Sequence, residues 1–81
     1  MSVLREKKLR LVVTFHTTAE AIATEKRCQE RNLPGKLITV PRILTSDCGI
    51  AWSAPAELRP QLEELLPAAG IEAAALYDLY L

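Results

Sequence analysis

Cys48 stands in the run Ser46-Asp47-Cys48-Gly49, a turn-type stretch in which a thiol can be both reached and tuned. The reactive form is the thiolate, and an unperturbed thiol has a pKa of about 8.5. Arg42, six residues earlier, is a permanent cation in the same stretch. Gly49 lets the backbone come close to a sulfur or to an atom carried on it, and turn amides can donate to an anion there. Each pKa unit of depression needs about 1.4 kcal/mol, which a guanidinium and a helix terminus can supply. The competing reading is a half-buried, inert cysteine at a strand start. His16 is the only histidine. It would serve as base, acid or hydrogen-bond partner near Cys48, or simply sit on the surface at a strand end. One His with one reachable Cys cannot make a four-ligand zinc set, so no metal is expected.

The elements that must position these residues follow from periodicity. Leu9, Leu11, Val13 and Phe15 alternate with Arg10, Val12, Thr14 and His16, the period of a strand with one strongly buried face. Thr17-x-x-Glu20 is a capping box, so a helix starts there. It is expected to run to about Asn32, where Leu33-Pro34-Gly35 stops it. Lys36 to Val40 reads as a second strand. Pro41 to Asp47 breaks the pattern, and Ile50 to Ser53 reads as a third strand. Leu58, Leu62, Leu65, Leu66 and Ala69 share a helical face. Pro55 and Pro60 predict an irregular first turn there, Pro67 strains the last turn, and Gly70 is a left-handed cap. Ala73 to Tyr80 is the fourth strand.

The order β-α-β-β-α-β specifies an α+β class and a ferredoxin-like plait. Two helices would lie on one face of a four-stranded antiparallel sheet whose first and third strands are central. Residues 1–8 form a basic N-terminal segment, and residues 9–81 form the single domain. In this topology one end of the sheet gathers residues 15–18, the loop 41–48 and the turn near 67–72. Cys48 is therefore expected beside Phe15, His16 and the start of the first helix.

Cys28 lies about ten residues into that helix, roughly 15 Å from the same end. An intrachain disulfide needs Cα atoms within about 7 Å, so both thiols are expected free. Cys28 reads as a small buried hydrophobe sharing an inner face with Ala21 and Ile22. Glu25 falls on that apolar face and needs a cation, backbone amides or water. Trp52 is either a core residue or the mark of an interface on the open sheet face, where Val12 and Thr14 also lie.

Composition narrows the function. The chain has 81 residues with a net charge of zero, and 49% are hydrophobic. One thin core fits in that length, with no room for a deep cofactor cleft, and no cofactor is expected. Residues 1–36 carry eight Lys/Arg and four Glu, whereas residues 37–81 carry two Arg and six acids. The basic excess reads as charges that keep a strand soluble, or as a patch for an acidic partner. Neutral charge and few aromatics disfavour nucleic acid, and no apolar run approaches the ~18 residues of a membrane span. Two cysteines and no signal-like start predict a reducing, cytoplasmic setting.

The pattern Val-Thr-Phe-His-Thr at 13–17, Ala-Glu at 19–20, Glu25, Val-Pro-Arg at 40–42 and Ser-Asp-Cys-Gly-Ile at 46–50 resembles the DUF3343 family of selenium/sulfur carrier-like proteins. The likeness runs from about Leu9 to Leu76. It implies that Cys48 is the working cysteine, with Pro41, Arg42, Ser46 and Gly49 around it. Small sulfur carriers with a Cys-Pro motif differ, because Gly49 follows Cys48 here.

The reading that results is a carrier rather than an enzyme. Cys48 would hold a persulfide or selenosulfide for transfer between a donor and an acceptor protein. Arg42, Ser46, Gly49, Pro41 and Thr17 would form the binding surroundings, and His16 would move a proton. The alternative is an interaction or regulatory module that forms a homodimer through its sheet and binds a small anion or a partner at the 41–48 loop.

Overall fold

The computed structural model describes residues 8–44 and 48–81. Most of the basic N-terminal segment, and Ser46 and Asp47 of the loop, lie outside the described residues.

Strand β1 (Leu9–Phe15) leads into helix α1 (Thr18–Glu30). Strands β2 (Lys36–Thr39) and β3 (Ile50–Pro55) follow, then a single 3-10 turn (Ala56–Leu58), helix α2 (Arg59–Ala68) and strand β4 (Ala73–Tyr80). The sheet order is β2-β3-β1-β4 and every pairing is antiparallel. This is the ferredoxin-like plait that the periodicity specifies, with β1 and β3 central.

Alternation along β1 and β3 sorts the two faces. Leu11 pairs with Ala54 and Val13 with Trp52, and these join Phe15 in the core with Ala21 and Cys28 of α1 and Leu62, Leu65 and Leu66 of α2. Burying each of those leucines contributes at most about 1.5–3 kcal/mol. Trp52 is therefore a core residue, not an interface marker. Val12, Thr14, Ala51 and Ser53 lie on the other face, and they too are buried.

Both helices end on the same device. Asn32 adopts φ 58, and the Leu33 N–H donates to the Cys28 carbonyl at 2.8 Å. Gly70 adopts φ 73, and the Ile71 N–H donates to the Leu66 carbonyl at 2.9 Å. These bonds satisfy carbonyls that a helix end otherwise leaves without partners. Helix α1 thus stops two residues before Asn32, and Asn32 supplies the left-handed residue. Gly35 has a different task. A Cβ there would lie 2.5 Å from Cζ2 of Trp52 and 2.8 Å from the Ser53 carbonyl oxygen, so the chain passes directly over the indole.

One expected face of α1 is corrected. Ile22 is 53% exposed, and the buried line is Ala21, Thr24 and Cys28. The Thr24 hydroxyl donates to the Glu20 carbonyl at 2.9 Å, so a polar residue enters the core without losing a hydrogen bond. Glu25 is half-buried at the margin of this face, within reach of solvent. Strand β3 also extends two residues beyond Ser53, to Pro55, whose missing N–H is tolerated at a strand end.

Candidate functional site

A backbone bond joins the two ends of the loop between β2 and β3. The Val40 N–H donates to the Gly49 carbonyl at 3.1 Å, which holds together the base of this excursion at the end of the sheet. Cys48 sits at the base of that excursion, half-buried against the core. Its Sγ–H donates to the Ile50 carbonyl at 3.3 Å. Gly49 has φ 74, and a Cβ there would meet nothing within 4 Å. The glycine is thus required by backbone conformation rather than by crowding.

Pro41 to Leu44 form a turn in which the Leu44 N–H donates to the Pro41 carbonyl at 2.9 Å. Pro41 is half-buried and Arg42 is exposed on this turn. Beside Arg42 stands Ile43, 77% exposed. Sequence reasoning passed over Ile43. Its signal is a large aliphatic residue within a Pro-initiated turn, where nothing in the turn can bury it.

The end of β1 approaches from the other side. Thr14 pairs with Ala51, so Phe15 and His16 run past the start of β3 toward the loop base. His16 is exposed. Its backbone N–H and that of Thr17 each donate to Glu20 Oε1 at 3.2 Å, while the Glu20 N–H donates to Thr17 Oγ1 at 3.3 Å. The capping box therefore does three things. It starts α1, and it clamps the backbone of His16. It also places the Glu20 carboxylate at the positive end of the helix, where it offsets part of the dipole that would otherwise favour an anion. Thr17, expected near the working thiol, uses its hydroxyl in this cap.

Cys28 contrasts with Cys48. It is wholly buried on α1, and desolvation pushes its thiol pKa up to about 11, with a smaller opposing pull from Arg31. A thiol held protonated in the core is inert toward electrophiles. The two cysteines thus stand in different environments.

The hollow of about 520 Å³ between α2 and β4 is lined by Leu66, Pro67, Ile71, Ala73 and Leu76, with Glu63 and Glu72. Cys48 does not line it. Among the described residues no three His, Cys, Asp or Glu side chains come together as metal ligands, and no helix is long and apolar enough to cross a membrane.

Residues 10–78 match the family described as "Putative Se/S carrier protein-like". The chain belongs to that family. The match takes in all of α1, the β2–β3 loop, β3 and α2, and nearly all of β1 and β4. In this Se/S carrier-like protein the Pro41-Arg42 turn and Cys48-Gly49 therefore fall well inside the matched region. No curated protein and no solved structure matches the chain.

Proposed function

We propose that this protein carries sulfur or selenium on Cys48 as a persulfide or selenosulfide. The observation that carries the reading is the setting of Cys48. It is a half-buried thiol at the base of a loop on the sheet end, in a chain of the Se/S carrier-like family, while the other thiol is sealed in the core.

Loading is a thiol exchange. Cys48 gives up its proton and the Sγ lone pair attacks the outer sulfur of a donor persulfide. The donor's S–S bond breaks, its electron pair leaves on the donor thiolate, and a new bond joins Sγ to the transferred atom. The transferred atom keeps its oxidation state, so no external oxidant is consumed. Breaking the Sγ–H hydrogen bond to Ile50 is part of this step. Arg42 and the loop amides stabilise the terminal anionic atom, with Pro41 and Gly49 shaping the loop. His16 takes or returns the proton. The substrate arrives attached to another protein, so no deep pocket is needed, and exposed Ile43 is suited to touching that donor or the acceptor.

The test is intact-mass measurement after incubation with a cysteine desulfurase and cysteine. Wild type and Cys28→Ser gain one sulfur atom, and Cys48→Ser gains none. Absence of the adduct on wild type, or an adduct that survives Cys48→Ser, overturns the reading. The Sγ–H bond to Ile50 favours the second reading, an interaction module in which Cys48 only packs the loop base. An unmodified wild type would leave that reading standing.

A further inference from the structure

The two edges of the sheet are built differently. Strand β2 is four residues long, carries Lys36, and lies between Pro34 and Pro41. Short length, lysine and flanking prolines are the usual protections of an edge. Strand β4 is eight residues long and has no lysine and no proline. Its one charge, Asp78, is engaged by Arg59 Nη1 at 3.0 Å. The register shift opposite Thr14 and Phe15 interrupts only its start. Among the described residues, 75–80 thus present a regular row of backbone groups with β1 on one side only.

The apolar hollow lies along this same edge. It is lined by α2, the turn after it, and Ala73 and Leu76, with no residue of β1, so it opens at the outer margin of β4. Tyr80 is 67% exposed on the strand's helix-side face, opposite Leu9.

We propose that β4 pairs antiparallel with β4 of a second copy, about a two-fold axis through Tyr77. An antiparallel neighbour pairs residues of the same face, which limits the registers. Centring on Asp78 sets two carboxylates opposite each other, which is destabilising. Centring on Leu76 pushes the ladder into the irregular start of β4. Centring on Tyr77 pairs residue 75 with 79 and residue 76 with 78, and stacks Tyr77 on its symmetry mate. It also brings Tyr80 of the copy opposite residue 74, beside the hollow. The ring then covers Ile71, Ala73 and Leu76, and the hydroxyl can donate to the carboxylate of Glu63 or Glu72. The unprotected edge, the hollow and the exposed tyrosine are explained together, and the proposal is independent of Cys48 chemistry.

Sedimentation equilibrium over a range of concentrations tests it. Wild type and Cys48→Ser dimerise alike. Tyr77→Lys and Tyr77→Asp each weaken the dimer by roughly tenfold or more, because like charges then meet at the axis. An equimolar mixture of the two recovers dimer. Tyr80→Ala, at an exposed position, weakens the dimer comparably while circular dichroism stays unchanged. A wild type that remains monomeric overturns the proposal, as does a mixture of folded variants that fails to recover.

Discussion

Glu20 Oε1 accepts hydrogen bonds from the backbone N–H of both His16 and Thr17, each at 3.2 Å. One carboxylate therefore joins the last turn of chain after β1 to the first turn of α1. Replacing Thr17 by Ala removes the reciprocal bond to the Glu20 N–H. We expect a loss of about 1 kcal/mol, read from the urea midpoint with an unchanged slope. Glu20→Ala frees the His16 backbone as well, so a loss smaller than that of Thr17→Ala would contradict the double role.

Gly35→Ala tests the passage over Trp52. The clashing atoms belong to a buried ring and to a backbone carbonyl, neither of which can swing aside. Overpacking of this kind costs about 1–3 kcal/mol. Retention of wild-type stability would show that the turn relaxes.

Gly49 makes a separate prediction, because space is open around it and only its positive φ constrains the residue. Gly49→Ala is expected to lose about 1–2 kcal/mol from the left-handed conformation. Gly49→Asn tolerates that region better and should fall between alanine and wild type. Equal losses in a denaturation series would argue that the side chain, not φ, matters.

The raised pKa of Cys28 fixes the sign of a pH dependence. The unfolded thiol ionises near pH 9, whereas the folded one holds its proton to about 11. The unfolded state therefore binds fewer protons between those values, and stability falls as pH rises through the window. The total loss is about 2–3 kcal/mol relative to Cys28→Ala, in which this contribution is absent. Parallel stability curves for the two proteins from pH 8 to 11 would count against it. Alkylation should likewise modify Cys48 in the native protein and Cys28 only after unfolding.

Ile43 separates docking from folding. Its side chain is 77% exposed, so Ile43→Asp is expected to move stability by less than about 0.5 kcal/mol. If the loop meets the donor protein, sulfur loading of Cys48 slows by roughly tenfold. Loading at the wild-type rate would remove Ile43 from the contact.

Much of this fold was legible locally. The Thr17-x-x-Glu20 box, the alternation of β1 and the Gly70 cap are short-range signals, and each appears where the spacing places it. The inner face of α1 was legible only in part. Ala21, Thr24 and Cys28 have helical spacing, but apolar type pointed to Ile22, and Thr24 is admitted because its hydroxyl bonds to its own helix. Gly35 was beyond local reading, since its requirement comes from a side chain 17 residues away in sequence. At the site, the thiol and its glycine were legible as residue types. The Val40–Gly49 closure was not, because it depends on how β2 and β3 pair, whereas the exposure of Ile43 had a local signal in its Pro-initiated turn.

The sealed position of Trp52 makes the molecule an optical instrument for its own sheet. Trp52 is the sole indole, 1% exposed, and among the described residues its Nε1 meets no hydrogen-bond partner. Its emission is therefore that of an indole in an apolar solvent, and it shifts to the red only when water reaches β3. That strand begins two residues after Cys48. Fluorescence can then distinguish chemistry confined to the loop from chemistry that loosens the strand beneath it.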